Sequence, residues 1–460
     1  MSSSRPAAAT RGHAQFPPGP PPNLFRSLFG ALQKSPLDYF TEIFQKYGDV
    51  IGMRIGNFRT FVIYHPDLIE DVLVNKARLY HKGRILQANK FLFGEGLLTS
   101  EGDFWLRQRR LSQPAFHREL IYAYAEVMAD YTEQMLAGWR GGEERDVHEE
   151  MMNLALRIVG KTLFDAEVTG DAKEVGETLD ILLKIAANFG RTVLVPLWVP
   201  TPRNLRAKAG VRRLEKIIYR IIAERRASGR DTGDLLSTLL EVRDTDGSRM
   251  SDRQLRDETI TLFLAGHETT ASTLSWTFWL LAQNPATEKK FHDELDGVLA
   301  GRPPTMDDLP RLPYLGHILT ESLRLYPPAW GIARLAEEEH QIAGYPVLPG
   351  YGMATAQWVV HRDPRWFDAP LEFRPERWEN GLAKQLPRFA YFPFGGGPRQ
   401  CIGNTFALME TSIVLATVGQ KFRLRPVPGH AVTPMASITM RPKSGIRVRL
   451  EERQTAAFRR

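Results

Sequence analysis

The sequence predicts a mainly α-helical protein with a minor β region. Three observations carry that expectation. From about residue 100 to 330, apolar residues recur at spacings of three and four, as in "YAYAEVMADYTEQMLAGW" and "VRRLEKIIYRIIAERR", the period of an amphipathic helix. Within that region "SDRQLRDETITLFLAGHETTASTLSWTFWLLAQNP" reads as one very long helix, with Ser251 as its N-cap and Asn284-Pro285 as its stop. Strand and turn signals concentrate at the two ends of the chain.

Residues 1–15, "MSSSRPAAATRGHAQ", are small and polar and read as a disordered leader. "FPPGPPPN" follows, and its prolines favour an extended, polyproline-like course. "DVIGMRIGNFRTFVIYHP" alternates and turns at Gly56-Asn57, a β-hairpin pattern. "PDLIEDVL" then opens a helix with proline and acids in its first turn. After residue 340 the chain turns to loops and short strands, "GYPVLPGYGMATAQWVV" and "HRDPRWFDAPLEFRPERW". A last helix runs through "NTFALMETSIVLATVGQ". Residues 16–453 are expected to form a single domain, with 454–460 as a flexible tail. No stretch approaches about 18 uninterrupted apolar residues, so a soluble, cytoplasmic protein is expected. Residues 193–200, "VLVPLWVP", are greasy but short and proline-broken, a packed loop or a lip that touches a membrane or forms a substrate entrance.

The charge is +7, from 60 basic and 53 acidic residues. Without a nucleic-acid motif, this mild excess gives no reason to expect nucleic-acid binding. Clusters such as "WLRQRR" and "NLRAKAGVRR" fit solvated helix faces, or a docking face for an acidic protein. The chain has one cysteine, Cys401, in "GGGPRQCIGNTF". One thiol cannot form an internal disulfide, a structural zinc site of the usual kind or an iron–sulfur cluster. An inert buried cysteine, a nucleophile and a single thiolate ligand to haem iron remain. A nucleophile needs a base, and no nearby histidine offers one. A helix starting just past Cys401 would present N–H groups that stabilise a thiolate. Gly395, Gly396, Gly397 and Gly403 remove side chains where a flat ligand could approach. Arg399 offers a fork for a carboxylate, and Phe394 could pack over a ligand. The haem reading is the better one locally.

Phe394, Gly397, Arg399, Cys401 and Gly403 resemble the haem-binding loop of the cytochrome P450 family, Phe-x-x-Gly-x-Arg-x-Cys-x-Gly. Other motifs of that family stand in order along the chain. "AGHETT" is similar to the family's signature in its long helix, and supplies Ala265, Gly266, Glu268 and Thr269. "ESLRLYPP" supplies Glu321 and Arg324, and "FRPERW" supplies Arg377, similar to the family's Glu-x-x-Arg and its third member. "FWLRQRR" supplies Trp105 and Arg109, matching Trp-x-x-x-Arg. Arg334, in "GIARLA", stands where the family often has another arginine. The resemblance runs from about residue 16 to about residue 450.

This resemblance implies the cytochrome P450 fold, with haem b between the long central helix and the cysteine loop with its last helix. It implies Cys401 as the axial thiolate and Trp105, Arg109, Arg334 and Arg399 around the propionates. Ala265 and Gly266 would let a ligand approach the long helix. Thr269 would hold dioxygen or its proton-donating water, Glu268 would relay protons from solvent, and His267 would have no catalytic duty. Glu321, Arg324 and Arg377 would form a buried structural network. The implied activity is monooxygenation of a hydrophobic small molecule with O2 as co-substrate. A peroxygenase, isomerase or dehydratase on the same fold often lacks the acid–alcohol pair, and a non-catalytic haem sensor would not need it. Residues 86–98, 189–198, 262–265 and 329–332 would contact the substrate. The chain has no dinucleotide-binding fingerprint or flavin domain, so electrons are expected from a separate ferredoxin, flavodoxin or reductase, docking near residues 107–110 on a monomer.

Overall fold

The computed structural model describes residues 16–21, 35–165, 178, 182, 199–229, 231, 233–244 and 246–453. The leader, the tail and the expected substrate segment 189–198 lie outside the described residues, as does most of 193–200. Elements are numbered in chain order. The first part holds α1 (Pro36–Tyr47), β1 (Val50–Ile55), β2 (Phe58–Ile63), α2 (Pro66–Glu70), β3 (Tyr80–Lys82), α3 (Arg84–Ala88) and α4 (Lys90–Phe93). The helical body holds α5 (Gly102–Ser112), α6 (Arg118–Leu136), β4 (Glu144–Asp146), α7 (Val147–Phe164), α8 (Pro202–Ser228), α9 (Leu235–Glu241), α10 (Asp252–Gln283), α11 (Pro285–Leu299) and α12 (Pro313–Leu325). The last part holds β5 (Ile332–Ala336), β6 (His340–Ile342), β7 (Tyr345–Val347), β8 (Gly352–Thr355), α13 (Gln357–Val360), α14 (Leu382–Gln385), α15 (Asn404–Lys421), β9 (Phe422–Pro426), β10 (Pro434–Ala436), β11 (Met440–Pro442) and β12 (Arg447–Glu452). The protein is mainly α with small sheets, as its sequence predicts.

Helix α10 organises the body. Its start is a capping box: the Ser251 hydroxyl accepts from the Gln254 N–H, and the Gln254 side chain accepts from the Ser251 N–H at 2.8 Å. It stops at Asn284, before Pro285. Buried residues lie on nearly all sides of it, which makes it a core helix rather than an amphipathic surface one. It contributes to two apolar cores. Leu274, Trp276 and Phe278 join a core shared with α6, α7, α12 and α15, while Leu255, Ile260 and Phe263 join one shared with α8 and α9.

A five-stranded sheet, β1-β2-β8-β5-β3, packs beside the helices around a third core containing Phe61, Tyr64 and Met353. The hairpin turns at Gly56 (φ +57°), where the sequence places it, with Ile55 opposite Phe58. The "PDLIEDVL" segment begins as α2 but widens into a π-helical turn at Asp71–Asn75. β3 and β5 run antiparallel, in a register that sets Lys82 opposite Arg334. Neither local sequence announces that pairing.

Candidate active site

The loop before α15 is shaped by its glycines and by two backbone bonds. The Gly395 N–H donates to Phe392 O at 2.9 Å, and the Cys401 N–H donates to Phe394 O at 3.0 Å. Gly395 and Gly397 have φ of +70° and +68°, in the left-handed region that disfavours a side chain. A Cβ on Gly396 would strike the Phe389 ring, and one on Gly397 would strike Leu73 O. These glycines therefore answer protein neighbours, not only a flat ligand. Gly403 differs: its φ is −94°, and a Cβ there would meet Phe116 at ordinary contact.

α15 starts at Asn404, with Gly403 as its cap. Cys401 keeps open surface on one side yet lies deep among protein atoms. Burial pushes its thiol above the ordinary range, against the lowering effect of the Gly403 N–H and the nearby Arg109 charge. The helix start thus favours a thiolate, as its sequence implies, but burial outweighs it in the polypeptide alone.

Four basic side chains converge next to this loop. Arg109, on α5, donates to the Gln400 carbonyl oxygen at 2.9 Å. Arg399 donates to Ser100 O at 2.9 Å, pairs with Glu101 and lies over the Trp105 ring, 3.8 Å from its centroid. Arg334 donates to Ala333 O at 3.0 Å, and burial lowers its pKa to about 10. The Lys82 amine is pushed down to about 7 by burial and then by Arg334, Arg399 and Arg109, against the opposing pull of Glu101. Glu101 also accepts the Lys82 backbone N–H at 2.6 Å. One carboxylate therefore serves Lys82, Arg334 and Arg399 together. Buried positive charge in excess of its counterions is costly, and two further carboxylates would balance it. The donor set fits the two propionates of a haem.

A second group lies on α10. Ala265 is exposed and Thr269 half-exposed, on a helix otherwise mostly buried. Four residues apart, they share one face, and the Thr269 hydroxyl donates to the Ala265 carbonyl. Gly266 faces α7, where a Cβ would come 3.0 Å from Val159 Cγ2, so its small size lets two helices approach. His267 donates from Nε2 to Met152 O at 3.0 Å. Glu268 is 2% exposed, with Arg441 Nη1 3.8 Å from its Oε1. One step on, Thr270 faces Glu410 of α15 without a well-formed hydrogen bond. Burial holds that carboxyl well above the carboxylate range.

The third group is a network. Glu321 and Arg324 are both 0% exposed and share a two-pronged pair, each prong 2.8 Å. Arg377 Nε donates to Glu321 Oε1 at 2.9 Å. Arg324 also donates to the carbonyls of His361, Pro370 and Glu372. The sequence motif supplies three members; the fold adds Trp378, whose Nε1 donates to Glu321 Oε2 at 2.9 Å, and the Arg374 N–H.

Trp105, Arg109, Arg334, Phe394, Arg399, Cys401 and Gly403 thus gather in one region, the α10 residues form a second group and Glu321, Arg324 and Arg377 a third. Sequence reasoning missed Lys82, Glu101 and Arg441. The first two stand in short segments with no motif, and only strand register and loop packing bring them to the arginines. The expected docking cations are partly engaged: Arg107 pairs with Asp244 at 2.8 Å, and Arg110, 55% exposed, reaches the same carboxylate at 3.5 Å. No group of metal-ligating side chains occurs among the described residues, and none of their helices is long and apolar enough to cross a membrane.

Known proteins resemble this chain in sequence and in fold. The profile of the family described as cytochrome P450 matches residues 17–449. The chain is 38% identical to cyclooctat-9-en-7-ol 5-monooxygenase of Streptomyces melanosporofaciens, over 90% of each chain. It is 35% identical to pentalenene oxygenase of Streptomyces avermitilis, over 92% of this chain and 94% of the other. The crystal structure of the cytochrome P450DA heme domain superposes with a TM-score of 0.87 at 25% identity, covering 96% of this chain and 99% of that one. With its glycine-ordered cysteine loop, its buried basic cluster and its acid–alcohol helix, the chain belongs to the cytochrome P450 family, the haem-dependent monooxygenases that use O2 to oxidise hydrophobic molecules.

Proposed function

We propose that Cys401 would hold haem b as its thiolate ligand and that Lys82, Arg109, Arg334 and Arg399 would hold the propionates. The observation that carries this reading is the sole thiol beside Arg109, at the edge of a basic cluster with too few carboxylates. Haem, when bound, would supply the oxygen-activating chemistry, and Cys401 would supply the thiolate that tunes it. The protein's own part is to hold and to deliver. The Gly403 N–H and Arg109 stabilise negative charge on sulfur. The Thr269 hydroxyl, on the exposed face of α10, holds a proton or a water at Oγ1, and Glu268 passes protons to it. The presence of both favours monooxygenation over peroxygenase or isomerase chemistry. Electrons come from a separate ferredoxin, flavodoxin or reductase, docking on α5, where Phe104, Leu106 and Arg110 are exposed. We further read the substrate as a cyclic, mostly hydrocarbon molecule of terpene type, since the names of the two Streptomyces relatives denote an unsaturated alcohol and an alkene.

The ferrous carbon-monoxide spectrum tests the ligation. Red-shifted Soret absorption in the parent, absent in Cys401→Ala, is the expected result. A Cys401→Ala protein that keeps the red-shifted band would overturn the assignment. For the substrate, a spin-state shift with pentalenene is expected; shifts with fatty acids alone would refute the terpene reading.

A further inference from the structure

Glu268 is nearly fully buried in an apolar stretch of α10, where an ionised carboxylate needs a nearby countercharge. Arg441 stands within ion-pair range, Nη1 to Oε1 3.8 Å. At that separation the attraction is an ion pair, which orients the carboxylate through its charge. Arg441 belongs to β11, which packs on α10 and pairs with β10, Arg441 opposite Met435. This hairpin is tied on its other side. The Met440 N–H donates to Pro328 O at 2.9 Å, and Trp330 Nε1 donates to Ser437 O at 2.9 Å. The same hairpin therefore contacts the helix bearing the acid and the start of the stretch expected to line the substrate pocket.

We propose that Arg441 is a positioning residue: from the β10–β11 hairpin it holds the Glu268 carboxylate oriented for proton transfer toward Thr269. This rests on the reading of Glu268 as a proton relay. Without Arg441 the buried acid turns away from Thr269, and proton delivery falters. Reduced oxygen then leaves as hydrogen peroxide, which takes two electrons and two protons, one NADPH per O2. Complete reduction to two waters takes four electrons and four protons, two NADPH per O2.

The test measures hydrogen peroxide released per NADPH oxidised by the haem-loaded full chain, with a surrogate ferredoxin and its reductase and no added substrate. The ferrous carbon-monoxide band verifies haem in every variant. Arg441→Met is expected to raise the peroxide ratio about threefold, with a changed solvent isotope effect on NADPH oxidation. Arg441→Lys, which keeps the charge, is expected to stay near the parent. Glu268→Gln is expected to raise the ratio as Arg441→Met does, and adding Arg441→Met to Glu268→Gln is expected to change nothing more. If Arg441→Met does not take up haem, Arg441→Gln carries the same comparison. A parent-like ratio for Arg441→Met beside a raised one for Glu268→Gln overturns the proposal and leaves the relay standing. So does an equal rise from Arg441→Met in the Glu268→Gln background, or a rise in Arg441→Lys as large as in Arg441→Met. A parent-like ratio for Glu268→Gln, or a parent that already releases one peroxide per NADPH, overturns the relay itself.

Discussion

A Cβ on Gly397 would lie 1.9 Å from the Leu73 carbonyl oxygen, at a backbone φ of +68°. Both constraints act on one atom, and neither can relax through a flexible side chain, because the obstacle is backbone. Gly397→Ala is therefore expected to displace the cysteine loop and lower stability by about 2–4 kcal/mol. The checks are the denaturant midpoint and the fraction of chains carrying haem after purification. Gly403→Ala should cost far less, since its φ is unexceptional. The sequence motif ranks the two glycines alike. What separates them is the approach of the π-helical turn at Asp71–Asn75, more than 300 residues away in the chain, and no local pattern encodes that.

Among elements, α10 does more than span the core. Its first turns hold the loop between α4 and α5. Asp257 accepts the Glu95 N–H at 2.8 Å, and Glu258 accepts the Leu97 N–H at 3.0 Å and the Gln108 amide at 3.2 Å. This loop leads into the helix that bears Trp105 and Arg109. Burial raises the Glu258 carboxyl to about 8, outweighing the two hydrogen bonds it accepts. A carboxyl of about 8 folded and about 4.5 unfolded stays protonated longer in the folded state. Its contribution is present in full below the unfolded value and is lost as pH rises toward 8, by up to about 1.4 kcal/mol per pH unit. Glu258→Gln removes that slope. Denaturant midpoints at pH 5, 6.5 and 8 should move progressively in favour of the variant; a constant difference would show that Glu258 does not titrate in this range. Helix, cap and stop of α10 were all legible in the sequence. Its buried acids Asp257 and Glu258 were not, because a charged residue in a helix reads as solvated until the packing around it is known.

At the scale of the whole molecule, Glu321 ties its own helix to a distant segment, residues 374–378. It receives bonds from Arg324 on its own helix, from Arg377 and Trp378 some 55 residues on, and from the Arg374 N–H. Arg324 in turn bonds the carbonyls of residues 361, 370 and 372. Glu321→Gln would leave two buried guanidiniums short of their anion, at a cost of about 3–5 kcal/mol. The expected result is little soluble holoprotein, and a lowered denaturant midpoint in what is recovered. Glu321, Arg324 and Arg377 could be named from their motifs; the carbonyl ligands could not, since main-chain acceptors have no sequence signature.

The sequence by itself determined the helical body, the capped long helix, the hairpin turn and the residues most suited to the chemistry. Those features depend on period, caps and short spacings, which neighbouring residues encode. Only the tertiary structure decided which cations gather beside Cys401, that Lys82 stands opposite Arg334, that Gly397 must pass a carbonyl while Gly403 need not, and that Arg441 meets Glu268. Burial, strand register and charge balance arise between distant segments, and they fix the protonation of a site that spacing alone can only locate.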